Sequence, residues 1–351
     1  MSKPSQYDFA YAVGNVRALE TMLLSENEVE RMVLAKDSKD AFRILNEFDY
    51  ADNKAGIDSP ADFQKVISEG LVDIKEQLEK ITPDKRVLGI LWHYYDFHNM
   101  KTLVKAKLSG QEFEAVESLM SIMGAIPVDA LKAFILDDDK RAPFGLAGEG
   151  GEEMEAYIKA KLEKVEKLFE KEKNPQIIDL YLDQKLMRIV RELAQYSNNS
   201  FLMEYVKKLI DLTNIKLFFR MKSQEKELEL FEIACLWHGS IPYKKFISLY
   251  KESSLSEFAE AMKATKYGNI AAEGLKDYEE KKTFIHLEKL IEDHLTEFIK
   301  RAKLVPFGPE PLIAYFLAKK NNALIIRMIM VNKLSETEPE DIKQRLRKLY
   351  R

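Results

Sequence analysis

Cysteine is nearly missing from this sequence: Cys235 is the single one in 351 residues. One thiol can form neither an intramolecular disulfide nor a cysteine-based zinc cluster, and a reducing cytoplasm is the expected compartment. Histidine is scarce as well, with five residues. His93 and His98 lie five apart, His286 and His294 eight apart, and His238 stands alone. None belongs to a His-Glu-x-x-His helix, so they read as structural or surface groups. Long apolar runs are absent too. The greasiest stretch, Ala323 to Val331, is interrupted by Arg327 and is shorter than the ~20 residues a bilayer-spanning helix needs. The polar opening Met1-Ser2-Lys3-Pro4-Ser5-Gln6 does not read as a secretory leader. A membrane, if one is involved, would be met from outside. Charge of one sign is not in excess either. The 54 basic and 58 acidic residues leave −4, which argues against a dedicated nucleic-acid binder.

Other elements of chemistry are also wanting. Gly145-Leu146-Ala147-Gly148-Glu149-Gly150-Gly151 is the glycine-rich loop. It lacks the Lys-Ser/Thr that a phosphate loop requires, and its glutamates carry the wrong charge, so it reads as a connector. Asp137-Asp138-Asp139 lacks the ligand spacing of a calcium loop and is followed by Lys140-Arg141. Cys235 beside Leu236-Trp237 reads as buried and inert. No Ser, His and Asp grouping is recognisable. No catalytic, cofactor or metal residue is therefore assigned.

What the sequence does contain is helix. Hydrophobic residues make up 46% and charged residues 32%, enough to bury sizeable cores beneath charged faces. Phe9, Val13, Val16, Leu19 and Leu23 recur at helical spacing, and Ser25 with Glu28 forms a capping box. Ser59-Pro60-Ala61-Asp62 opens a helix with core face Phe63, Ile67, Leu71, Ile74 and Leu78. Thr82-Pro83 repeats that device and is expected to launch the next helix. Met154, Ile158, Leu162, Val165 and Phe169 share a face; Ile178, Leu182, Ile189 and Leu193 follow the Asn174-Pro175 break. Ser254 and Glu257 predict another capping box, Leu275 to Ala302 one long amphipathic helix, and Pro339 a short basic C-terminal one. No alternating strand or hairpin signal stands out. The predicted class is all-α.

Three helices repeat. Asp96-Phe97-His98-Asn99-Met100-Lys101 running to Lys107, Asp211-Leu212-Thr213-Asn214-Ile215-Lys216 running to Lys222, and Asn322 through Arg327 to Lys333 start 115 and 111 residues apart. Each places Asp or Asn first, Lys or Arg five positions on, and Lys eleven positions on. The spacing predicts three similar helical units, 1–112, 113–226 and 227–351, in a quasi-threefold arrangement. Ala142-Pro143-Phe144-Gly145 and Val305-Pro306-Phe307-Gly308 echo each other off that period. Each repeat helix carries an apolar stripe: Phe97, Met100, Val104, Leu108; Leu212, Ile215, Phe219, Ser223; Ala323, Ile326, Met330, Leu334. Polar residues flank it. They either cap helices and join local ion pairs or converge on a shared axis. On the second reading Asp96, Asn99, Lys101, Lys107, Asp211, Asn214, Lys216, Lys222, Asn322, Arg327 and Lys333 make partner or inter-lobe contacts. The tail Lys343, Arg345, Arg347, Lys348 and Arg351 is either a solvated helix end or a contact for acidic surfaces or headgroups. A free-standing helical adaptor would satisfy the same periodicity.

Tyr11-Ala12-Val13-Gly14-Asn15-Val16-Arg17-Ala18-Leu19-Glu20 resembles the start of the C subunit of archaeal and bacterial A/V-type rotary ATPases, a relative of the d subunit of the eukaryotic V-ATPase. So do Ile178-Asp179-Leu180-Tyr181-Leu182-Asp183, Ile210 to Lys216, and Glu310-Pro311-Leu312-Ile313-Ala314-Tyr315 continuing to Leu334. The similarity runs in order from about residue 7 to the end. It implies a three-lobed, funnel-shaped, non-catalytic component, one copy per complex, on the cytoplasmic face of the membrane. Its implied place is between the D and F shaft subunits and the proteolipid c-ring. There it would carry torque for ATP-coupled proton or sodium transport, without a cofactor.

Overall fold

The computed structural model describes residues 5–47, 59–137 and 151–351. Among these residues every regular element is an α-helix or a 3₁₀ turn, with no strand, so the predicted all-α class is the observed one. The chain divides into two compact units. The first joins the two ends of the sequence, Met1–Lys85 with Tyr267–Arg351, and the second is Arg86–Lys266. The segments 1–112, 113–226 and 227–351 follow the repeat helix and cut the chain at other points.

The first unit opens with α1 (Ala10–Leu19), α2 (Glu26–Leu34), α3 (Ser38–Asn46) and α4 (Phe63–Ile81). The expected capping box starts α2. Ser25 Oγ accepts from the Glu28 N–H at 3.4 Å, and Glu28 Oε2 accepts from the Ser25 N–H at 2.7 Å. Asp37 caps α3 through the N–H groups of Lys39 and Asp40, and those bonds hold its carboxyl below the usual carboxylate range. Thr82 does something other than expected. Its hydroxyl donates to the Leu78 carbonyl at 2.5 Å and closes α4 rather than opening the next helix.

The second unit begins within a 3₁₀ turn at Lys85–Leu88. It holds α5 (Gly89–Ser109), α6 (Val128–Ile135), α7 (Gly151–Glu172) and α8 (Gln176–Tyr196). It continues through α9 (Ser200–Ser223), α10 (Leu228–Ala234), α11 (Tyr243–Glu252) and α12 (Leu255–Met262). Gly110, at φ 66°, ends α5 in the left-handed region that glycine adopts without strain. Asn199 caps α9 by accepting from the Leu202 N–H at 3.0 Å, and the Ser254–Glu257 box opens α12. The centre is aromatic. Phe218 stacks on Phe258 with ring centroids 3.6 Å apart, and Phe231 on Tyr250 at 4.0 Å.

The chain then completes the first unit with α13 (Gly268–Lys281), α14 (Ile285–Ile299), α15 (Glu310–Leu334) and α16 (Pro339–Arg345). The long helix expected from Leu275 to Ala302 is two. Lys282 takes a left-handed φ of 53° and turns the chain back, so that α14 packs on α13. The approach is close at Gly274, where a Cβ would come within 2.6 Å of Leu287 Cδ1. The core of this unit unites the two chain ends: Met32, Val33, Leu45 and Ile67 pack with Ile325, Ile326, Ile329 and Met330 of α15. Of the Pro-Phe-Gly echo, Phe307 lies against Tyr7 at 5.3 Å between centroids; the other copy, at 142–145, is outside the described residues, as are 138–139 of the aspartate run and 145–150 of the glycine-rich loop.

Candidate functional site: the repeated helix and the loops it holds

The three repeated segments lie on α5, α9 and α15. Their apolar stripes are buried as expected, apart from the last position of each: Leu108 and Ser223 are partly exposed and Leu334 is exposed. Their polar edges differ from expectation. Asp96, Asn99, Asp211 and Asn214 are fully buried, and Asn322 is 1% exposed. These helices are enclosed on more than one face, so side chains beside the apolar stripe are inside as well.

Burial of such groups is tolerable only with partners, and apart from His93 beside Asp96 the partners are backbone. Asp96 Oδ1 accepts from the Ile126 N–H at 3.0 Å, while Oδ2 lies 2.8 Å from His93 Nδ1. Asn99 donates to the Ser121 carbonyl and accepts from the Ser121 N–H, both at 2.8 Å. The second copy reproduces this. Asp211 Oδ1 accepts from the Ile241 N–H at 3.0 Å; Asn214 donates to the Leu236 carbonyl at 2.9 Å and accepts from its N–H at 2.7 Å. Acid to loop spans 30 residues and amide to loop 22 in both copies. Each Asp-x-x-Asn pair is thus a clamp on the loop that follows its helix.

Two glycines make room for the clamps. A Cβ on Gly124 would stand 2.2 Å from Asp96 Oδ1, and one on Gly239 would stand 2.1 Å from Asp211 Oδ1. The loops read Gly124-Ala125-Ile126-Pro127 and Gly239-Ser240-Ile241-Pro242, again 115 residues apart, and α6 and α11 begin directly after the prolines. This glycine, isoleucine and proline pattern is the signal in the sequence that could have located the clamps.

The third copy is closed differently. With its amide oriented to satisfy both neighbours, Asn322 accepts from the Leu24 N–H at 2.8 Å and donates to the Ala318 carbonyl at 3.3 Å. Leu24 precedes α2 as Ile126 precedes α6 and Ile241 precedes α11. The lysine eleven positions on confirms the correspondence. Lys222 Nζ donates to the Tyr250 carbonyl near the end of α11 at 2.6 Å, and Lys333 Nζ donates to the Ala35 carbonyl at the end of α2 at 2.7 Å, 298 residues away. Burial depresses the Lys333 pKa. The N-terminal segment therefore supplies to α15 the loop and helix that the other two copies find downstream.

The remaining polar positions form ion pairs or face solvent. Lys101 meets Asp183 at 2.7 Å, where burial pushes the carboxyl pKa up against the opposing pull of the lysine. Lys107 meets Glu166 at 3.1 Å, Lys216 is half-buried, and Arg327 is exposed. The basic tail is anchored in part. Arg351 donates to the carbonyls of Thr21 and Leu23 at 3.0 and 3.1 Å, and the Tyr350 hydroxyl donates to Glu20 at 3.0 Å. Arg347 faces Glu292 and Lys343 faces Glu340.

The Cys235 thiol is buried, which pushes its pKa up to about 12 and leaves little thiolate at neutral pH. His98 lies 3.0 Å from the Leu119 carbonyl, and His294 sits edge-on to Tyr267. Among the described residues no group of three or more His, Cys, Asp or Glu converges as a metal site. Nor is any described helix long and apolar enough to cross a membrane. The chemistry of this arrangement is mechanical: buried side chains fix loops to helices.

Comparison with known proteins gives one consistent result. The family model described as ATP synthase (C/AC39) subunit matches residues 12–345. The C subunit of the A-type ATP synthase of Methanocaldococcus jannaschii is 24% identical over 348 residues, covering 96% of this chain and 86% of that protein. The C subunit of the V-type sodium ATPase of Enterococcus hirae is 25% identical, covering 95% and 97%. The C subunit of the A-type ATP synthase of Pyrococcus furiosus is 26% identical, covering 96% and 89%.

Proposed function

Because the chain belongs to the ATP synthase (C/AC39) subunit family, we propose that it is the non-catalytic central-stalk connector of an A/V-type rotary ATPase. In this reading it joins the D/F shaft to the membrane c-ring on the cytoplasmic face. It passes torque between them and so couples ATP turnover to proton or sodium transport. The observation that carries the reading is the match along residues 12–345, which takes in both compact units rather than a shared module.

Physical features support it. A torque-bearing part must be stiff, and close-packed helical interiors transmit strain rather than absorb it. The clamps add to this by fixing the loops that follow α5 and α9 to the helices themselves. Side chains within reach of partners are then the solvent-facing members of the repeat, the exposed Lys107 and Arg327 first and the partly exposed Lys101, Lys216 and Lys222 after them. Contacts of this kind are salt-sensitive.

The test is binding of the purified chain to the isolated D/F pair and to c-rings in detergent at low salt. Retention on both, with no ATP hydrolysis by the chain itself, is expected. Affinity for neither would sink the reading.

A further inference from the structure

We propose that α7, α8 and the clamped loop at Trp237 form a docking surface for a carboxylate-rich segment of a partner protein. The inference goes beyond the connector reading and stands without it, because it rests on side chains of the second unit alone.

Two packed helices carry the same stripe. Tyr157, Lys161 and Lys164 lie at positions i, i+4 and i+7 of α7; Tyr181, Lys185 and Arg188 do so on α8. Lys161 Nζ stands 4.8 Å and the Arg188 guanidinium 4.7 Å from the Tyr157 ring centroid. Lys185 Nζ lies 4.5 Å from the Tyr181 ring and 5.7 Å from the Trp237 ring. Cations are therefore gathered over aromatic faces, which do not neutralise their charge as a carboxylate would. The acid shown bonded to this cluster is Glu192, which takes Arg188 Nε at 2.8 Å.

Crowding of like charge is felt inside the cluster. Burial first, then Lys161, Lys164 and Arg188, lower the Lys185 pKa to about 8. Lys185 gives one hydrogen bond to Gln184 Oε1 at 2.5 Å, and Gln184 in turn donates to the Cys235 carbonyl at 3.0 Å. That bond and the Asn214 clamp on Leu236 fix the chain on the N-terminal side of Trp237. A ring 49% exposed is thus held at a set place beside fixed cations. Exposed tryptophan and arginine on a rigid support are what binding hot spots are made of. A carboxylate-rich helix or strand would neutralise the lysines and cover the ring with its apolar side chains. A bilayer would need a wider apolar area than one indole ring offers.

The matching position in the preceding repeat supplies a control. Ile122, 115 residues before Trp237, is 71% exposed on the loop clamped by Asn99. The experiment uses the full chain and a fluorescein-labelled peptide of glutamate, leucine and alanine, followed by anisotropy and by acrylamide quenching of tryptophan. Trp92 is buried at 2% exposure, so quenching reports Trp237. The peptide should shield Trp237. Lys161→Glu with Arg188→Glu should weaken it at least about tenfold, and Trp237→Ala should weaken it too. Ile122→Ser should leave it unchanged, and circular dichroism should show all variants folded. Affinity should also fall as pH rises through about 8, where Lys185 loses its proton. No binding at low salt, binding indifferent to the charge reversals, or equal loss in Ile122→Ser would overturn the proposal. So would shielding by phosphatidylserine vesicles but not by the peptide.

Discussion

Asp211 and Asn322 occupy the same place in two copies of one helix and hold their loops by different means. Asp211 belongs to a continuous stretch of chain: its loop follows 30 residues later, its neighbour Asn214 adds two bonds, and Gly239 makes the space. Asn322 has Ile325 where Asn214 would be, and its loop comes from the opposite end of the chain. Met22, exposed, stands two residues before Leu24, where the other loops have glycine. The difference teaches that the fold conserves the clamp's place and not its chemistry. A carboxylate backed by a neighbouring amide serves where the loop is local. A single neutral amide serves where the lysine at the helix end and a shared apolar core do most of the holding.

The comparison breaks most severely at the chain ends. Removing residues 1–47 deletes Leu24, Val29, Met32, Val33, Phe42 and Leu45 from the core around α15. Each such burial contributes about 1.5–3 kcal/mol, so the loss is as large as the ~5–15 kcal/mol that holds a domain together. Thermal unfolding of the truncated chain should show the transition of the second unit alone. Next comes Asp211→Ala, which strands the buried Ile241 N–H and should cost about 3 kcal/mol in urea denaturation. Adding Gly239→Ala to that variant should cost less than Gly239→Ala alone, because Asp211 Oδ1 is gone and only the 3.0 Å approach to Ile210 Cγ2 is left. Asn322→Ala removes one neutral bond to the loop at Leu24, while Lys333 still holds the end of the helix that follows at Ala35, and should cost about 1 kcal/mol. The last is a pH effect within the second unit. Lys185 titrates near 8 when folded and near the ordinary 10.5 when unfolded, so the unfolded chain binds more protons between those values. Stability should therefore rise with pH across that window, and Lys185→Met should flatten the rise.

Much of this was legible in the sequence. Capping boxes at Ser25 and Ser254, the proline starts at Pro60 and Pro339, and the repeat of α5, α9 and α15 all follow from local rules. The misreadings share a cause. A helical wheel sets Asp96 and Asn99 at the rim of an apolar stripe, which looks like an edge offered outward. Their partners are backbone groups 22 and 30 residues away, and backbone groups leave no mark in a side-chain pattern. Lys282 breaks a continuous amphipathic pattern by adopting a left-handed conformation with no glycine to announce it. Closure of the third repeat by Leu24 and Ala35 lies farthest from view, because order along the chain conceals it.

A clamp that stiffens loops matters most if the molecule carries load, and the proposed connector role is such a use. The direct measurement is ATP-driven ion uptake by vesicles bearing the host complex, prepared without this chain and again after adding it back. Without it, ATP hydrolysis by the soluble head should persist while uptake is lost, and the wild-type chain should restore uptake. Full uptake in its absence would contradict the connector role.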